Sequence, residues 1–107
     1  MREITASELA AKLKGGEPVY LLDVRQGWEH EVARLPRSVL VPLDELPGRV
    51  GDLDPPEGAL IVAYCHHGMR SLSAAAVLTQ AGVDGVVSLA GGIDAWSRLV
   101  DATVPRY

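Results

Sequence analysis

The sequence predicts an α/β domain in three layers, with a mainly parallel sheet covered by helices on both faces. Two observations carry this. Short apolar runs, Val19–Leu22, Leu60–Tyr64 and Val86–Leu89, alternate with segments whose apolar residues recur every three or four positions. Leu60–Tyr64 is also apolar without alternation, which marks a strand buried on both faces, as in a parallel sheet. The 107 residues form one domain, 1–107, long enough to bury a core without disulfide or metal staples.

Taken in order, Arg2 to Ile4 reads as a short first strand. Thr5-Ala-Ser-Glu8 has the spacing of a capping box, so a helix begins at Ala6. Leu9, Ala10 and Leu13 form its apolar stripe, Ile4 and Leu9 sit at staple positions, and Lys12, Lys14 and Gly15-Gly16 end it at Lys14. The second strand, Val19–Leu22, runs into Asp23-Val24-Arg25. A carboxylate and a guanidinium thus stand at a strand's C-terminal end, where open parallel sheets bind ligands. The pair reads as functional or, more commonly, as structural, with Asp23 capping amides of the next loop and Arg25 paired with a carboxylate such as Glu29.

Trp28–Val32 gives one or two helical turns, and Val39–Val41 is a third strand bounded by Pro36 and Pro42. Leu43, Leu46, Val50 and Leu53 keep helical spacing, but Pro47, Gly48 and Gly51 make any helix there short or broken. Asp54–Gly58 turns into the central strand, Leu60–Tyr64, which delivers the only cysteine, Cys65, to its C-terminal end. A helix from Met69 to Ala81 follows, with Gly82 as a left-handed cap. Its Ala74-Ala75-Ala76 lets it lie close on the sheet and so fixes the loop before it. Val86–Leu89 is the last strand, Gly91-Gly92 a turn, Ile93–Val100 a helix carrying Trp96, and Asp101–Tyr107 irregular.

The apolar fraction of 48% is ordinary, but with no Phe, two Trp and three Tyr the core must be mainly aliphatic. A net charge of −4 argues against a general nucleic-acid binder or a cationic membrane surface, leaving small molecules or proteins as partners. A single cysteine permits no internal disulfide, the N-terminus lacks a signal-peptide core, and no apolar run approaches the roughly 20 residues that span a bilayer. A cytoplasmic, reducing location with no membrane partner is the expectation.

The chemistry centres on Cys65. The backbone N–H groups of His66 to Arg70 precede or open a helix, lack helical partners and can turn toward the sulfur. Together with the charge of Arg70 they should stabilise a thiolate, and equally an anion attached to it, whether a persulfide or a phosphoryl group. Free cysteines in general are more often inert and buried. The order of strand, cysteine, loop with Gly68 and helix start favours the anion cradle. His66 and His67 raise the question of zinc, but adjacent side chains rarely converge on one ion and His30 alone makes no site, so no metal is expected. The two histidines should line the pocket rim and add positive charge below about pH 6.5.

Four stretches carry a family resemblance: Leu21-Leu22-Asp23-Val24-Arg25 with Trp28-Glu29; Val41-Pro42-Leu43-Asp44-Glu45-Leu46; Tyr64-Cys65 with Gly68, Arg70 and Ser71; and Leu89-Ala-Gly91-Gly92-Ile-Asp-Ala-Trp96. Over nearly all its length the chain resembles the rhodanese family of sulfurtransferases. The resemblance implies a five-stranded parallel sheet flanked by helices, and a two-step reaction without a cofactor. A cysteine takes sulfane sulfur from a donor such as thiosulfate, becomes a persulfide, and passes the sulfur to a thiol or cyanide. Carried over, Cys65 is the persulfide carrier, and His66, His67, Gly68, Met69, Arg70 and Ser71 hold the substrate. Asp23 and Arg25 fall at positions expected to be mainly structural.

Four residues separate Cys65 from Arg70, the loop length of the family's sulfur-handling members; related phosphatases have one more. Where the family usually reads Gly-His-Ile-Pro-Gly-Ala, this chain reads Ala33-Arg34-Leu35-Pro36-Arg37-Ser38. Local backbone geometry is therefore expected to differ. Arg34 and Arg37 read as attractors for an anionic donor or protein partner or, more commonly, as solvated charges. The tail from Ala95 to Tyr107 resembles the end of rhodanese domains fused to enzymes that activate sulfur-carrier proteins, which implies a sulfur relay with a protein donor or acceptor. A binding module without turnover is the alternative, against which the cysteine counts. A phosphatase or arsenate-handling enzyme of the same fold is a third reading, against which the short loop counts.

Overall fold

The structure, a computed structural model, describes residues 3–107. Its five strands are β1 (Glu3–Ile4), β2 (Val19–Asp23), β3 (Val39–Leu40), β4 (Leu60–Tyr64) and β5 (Val86–Leu89), in spatial order β1-β5-β4-β2-β3. Every pairing is parallel, so the sheet expected to be mainly parallel is wholly so. The helices are α1 (Ala6–Lys14), α2 (Gly27–Val32), α3 (Leu46–Arg49), α4 (Met69–Gln80) and α5 (Gly92–Leu99), with a 3-10 turn at Val50–Asp52.

Residues of β4 alternate between two cores because successive side chains of a strand point to opposite faces. Val62 and Tyr64 join Leu9 of α1 and Ile93 and Trp96 of α5 on one face. Ile61, Ala63 and Cys65 join Leu46 of α3 and Ala74, Ala75 and Leu78 of α4 on the other. Ala74 and Ala75 are completely buried, so the small residues do bring α4 close to the strand that feeds its loop.

Local signals placed most boundaries. Thr5 Oγ1 accepts from the Glu8 amide at 3.1 Å and the Glu8 carboxylate accepts from the Thr5 amide at 2.9 Å, the reciprocal box that starts α1. Helix α4 stops one residue earlier than expected, with Ala81 at its cap, and Gly82 is left-handed (φ +87°). There the Gly82 amide donates to Thr79 and the Val83 amide to Leu78, closing the helix. Pro47 stands in the first turn of α3, and the Leu43–Leu53 segment is broken as expected.

The differences are small and have local causes. Strand β2 extends one residue, to Asp23, because that residue pairs with both Leu40 and Tyr64. Strand β3 ends at Leu40, just before the Val41-Pro42 step. Helix α2 begins at Gly27, with the Glu29 carboxylate accepting from the Gln26 amide at 3.0 Å. Helix α5 spans Gly92–Leu99, so Gly91 and Gly92 are its cap and first residue rather than a free turn. Arg2, expected in the first strand, lies outside the described residues.

Candidate active site

Strand β4 ends at the sheet's C-terminal edge, and the loop Cys65–Gly68 leaves it to reach α4. Helix α5 holds this loop from below. The Ile93 amide donates to the Cys65 carbonyl at 2.9 Å and the Asp94 amide to the His66 carbonyl at 3.1 Å. Amides that open a helix have no partner within it, and here the loop supplies acceptors. The approach is close enough to require glycine. A Cβ on Gly92 (φ +61°) would stand 2.4 Å from the Cys65 carbonyl oxygen and 2.3 Å from that of His66.

Cys65 is 1% exposed, and its Sγ accepts from the Gly68 amide at 3.1 Å and the Ser71 amide at 3.4 Å. Ser71 Oγ lies 3.6 Å from the sulfur. Of the amides expected to turn toward Sγ, from His66 to Arg70, that of Gly68 does so; the second donor is the Ser71 amide, in the first turn of α4. Gly68 reaches this position in the left-handed region, at φ +102°. Ser71 Oγ also lies 2.7 Å from Ser88 Oγ on β5 and donates to the Gly68 carbonyl at 3.2 Å. Both serines are completely buried.

Arg70 forms a two-pronged pair with Glu29, 2.6 Å from Nη1 to Oε1 and 2.9 Å from Nη2 to Oε2. Its hydrogen bonds from Arg70 are the main reason that the Glu29 carboxyl is lowered to about 2, against the opposing cost of burial. Arg70 is raised in turn, first by those bonds; a thiolate at Cys65 adds a smaller effect of the same sign.

Arg25 is not Glu29's partner. It is completely buried, and its Nε and Nη2 donate to the two Asp23 carboxylate oxygens at 2.9 and 2.8 Å. Asp23 accepts from the Arg25 amide as well, at 3.0 Å, so it caps the next loop as expected. Burial opposes the Arg25 charge, but the bonds to Asp23 and Tyr107 outweigh it and hold Arg25 above its ordinary range. A pair sealed at 0% exposure is architecture and not a substrate contact.

His66 stacks between His67 (centroids 3.9 Å, planes 28° apart) and Tyr107 (4.0 Å, 9°). Burial first and His67 second push the His66 imidazole below its ordinary value, so this part of the rim becomes cationic later in acid than the sequence suggested. Ligand atoms of His66, His67 and Asp94 lie within 4.8 Å of one another. Nearly parallel rings cannot both aim an in-plane lone pair at one ion, and Asp94 already accepts from Arg98 at 3.1 Å and Arg106 at 3.0 Å. Met69 is 76% exposed on the loop side of α4.

The two arginines of the altered stretch part company. Arg34 donates to the His30 carbonyl at 3.2 Å on the surface. Arg37 lines a cleft of about 620 Å³ with Pro18, Val19 and Trp96, and it is the one non-glycine with positive φ (+61°) among the described residues. Val19 pairs with Leu60, so this cleft lies at the start of β2 and β4, the opposite edge from Cys65. Where the family usually has glycine, Arg37 thus holds the left-handed backbone that favours glycine.

Sequence reasoning missed Ser88, the contact of Gly92 with the loop, and Tyr107. Only Ser88 leaves a local trace, a hydroxyl in the otherwise apolar run Val86–Leu89.

Against known proteins, the model of the rhodanese-like domain family matches residues 5–99. A sulfurtransferase of Allochromatium vinosum is 35% identical over 92% of this chain and 90% of its own length. A probable adenylyltransferase/sulfurtransferase, MoeZ, of Mycobacterium tuberculosis is 32% identical over 97% of this chain, which spans 26% of that protein. Among solved structures, a rhodanese-like domain protein of Staphylococcus aureus superposes with a TM-score of 0.83 at 29% identity, covering 100% of this chain and 99% of that one.

Proposed function

The chain belongs to the rhodanese family as a sulfurtransferase of that type with a single buried cysteine, and we propose that it moves a sulfane sulfur from a donor such as thiosulfate to a thiol or cyanide acceptor through a persulfide on Cys65. One observation carries the reading: Cys65 Sγ sits at the end of β4 with the Gly68 and Ser71 amides donating to it. Those donors favour the thiolate needed for attack and the anionic persulfide that results.

The Cys65 thiolate attacks the outer sulfur of thiosulfate. An S–S bond forms at Cys65, the sulfur–sulfur bond of the donor breaks, and sulfite leaves with the bonding pair. Cyanide or a thiolate then attacks the terminal sulfur, giving thiocyanate or a new persulfide and returning the Cys65 thiolate. His66, His67, Gly68, Met69, Arg70 and Ser71 form the substrate-holding loop in this reading, with Arg70 as its cation. Neither step calls for a cofactor or metal. A protein donor or acceptor in a sulfur relay fits the same chemistry, and the likeness to part of MoeZ supports it. The cytoplasm, where a lone thiol stays reduced, is the compartment this reading implies. Among the described residues no helix is long and apolar enough to cross a membrane.

Intact-protein mass spectrometry after incubation with thiosulfate tests the proposal. A gain of about 32 Da, removed by cyanide and absent in Cys65→Ser, is expected. Sulfur transfer retained by a folded Cys65→Ser would refute it.

A further inference from the structure

Tyr107 ends an irregular tail, yet that tail follows a fixed path. Val104 is buried and its carbonyl accepts from Ser97 Oγ at 2.6 Å, and Arg106 Nε donates to Asp94 at 3.0 Å. The path brings the Tyr107 hydroxyl between two ion pairs of different character. It accepts from Arg25 Nη1 at 2.8 Å and donates to Glu29 Oε2 at 2.7 Å. The Arg25–Asp23 pair is sealed in the core, whereas the Arg70 side chain of the Glu29–Arg70 pair is 36% exposed beside the Cys65 loop. The ring adds a second link. It lies flat on His66, 4.0 Å away with planes 9° apart, and meets Trp28 edge-on at 5.9 Å.

We infer that Tyr107 is a positioning residue of the Cys65 site: its hydroxyl anchors the Glu29–Arg70 pair to the buried Arg25, and its ring fixes the plane of His66. The inference rests on the reading of Cys65 as the sulfur carrier. Its physical content is preorganisation. Arg70 carries a long, flexible side chain, and ordering such a chain during substrate binding weakens binding. With Glu29 held from behind, Arg70 meets an anionic donor already in place. His66 next to the cysteine likewise keeps one orientation under a ring that covers one face of its imidazole, and burial is the first cause that lowers its pKa.

The full chain is compared with Y107F, which keeps the ring and loses both hydroxyl bonds, and with Y107A, which loses both links. With thiosulfate as donor and cyanide as acceptor, Y107F should raise KM for thiosulfate about fivefold while kcat stays within about twofold. By NMR, the Arg70 Nε–H signal should be sharp in the wild type and broadened by exchange in Y107F. The His66 titration should be unchanged in Y107F and should rise toward the ordinary value of about 6.5 in Y107A. A Y107F enzyme with wild-type KM and an unaltered Arg70 signal, or a His66 titration that Y107A leaves in place, would overturn the inference. If the wild type transfers no sulfur, the sulfurtransfer reading falls, and the two NMR signals alone decide whether Tyr107 sets the pocket.

Discussion

Glu29→Gln tests how much the Arg70 pair contributes to holding the site. Glu29 is 3% exposed and accepts from Arg70 twice, from Tyr107 Oη and from the Gln26 amide. Its fall from an ordinary 4.5 to about 2 corresponds to roughly 3 kcal/mol. Arg70 is partly solvated, which reduces that figure to about 2 kcal/mol. Because the folded-state value is the lower one, the contribution is complete above the unfolded-state value and is lost as pH falls toward 2. Glutamine resembles the protonated acid, so the deficit of the variant should follow the same course. Urea unfolding at pH 7 should show a midpoint lower by about 1 M. The gap should begin to close below about pH 5 and be roughly halved by about pH 3. A deficit of the same size at pH 7 and pH 3 would show that shape or packing is responsible and that the charge pair is not.

The remaining predictions concern two backbone positions. Gly92→Ala places a Cβ 2.3 to 2.5 Å from backbone atoms of the Cys65 loop at a φ of +61°, and no side-chain rotation can relieve it. Urea unfolding should show a loss of at least about 3 kcal/mol, and a loss under about 1 kcal/mol would mean that α5 does not press on the loop as described. Arg37→Gly removes the penalty of a left-handed side-chain residue at φ +61° and should stabilise by up to about 1 kcal/mol, read as a rise in thermal midpoint; a fall would show that the Arg37 side chain contributes more than its backbone strain costs.

What was legible in the sequence was written in short-range patterns. The Thr5–Glu8 box, the Gly82 stop and the apolar run of β4 each report on residues within a few positions, and each predicted its element to within one residue. The setting of Cys65 was legible for the same reason, since strand, thiol, glycine and helix start are consecutive. Pairing between side chains was not. The structural reading of Arg25 expects a neighbouring carboxylate such as Glu29, but its partner is Asp23, while Glu29 pairs with Arg70, 41 residues away. Ser88, Gly92 and Tyr107 reach the site only as the chain returns through β5, α5 and the tail, and no periodicity encodes such a meeting. The lower pH at which His66 gains its charge was hidden likewise, because one of the two rings stacked on it belongs to the tail.

The contact between the Cys65 loop and α5 also orders events in time. The carbonyls of Cys65 and His66 receive their amides from Ile93 and Asp94, which follow α4 and β5 in the chain. During synthesis the thiol leaves the ribosome well before these partners do, at a stage when α5 does not yet hold its loop. A nascent chain therefore carries Cys65 on a loop whose Cys65 and His66 carbonyls still lack their partners, and the loop is braced only once α5 has arrived beneath it.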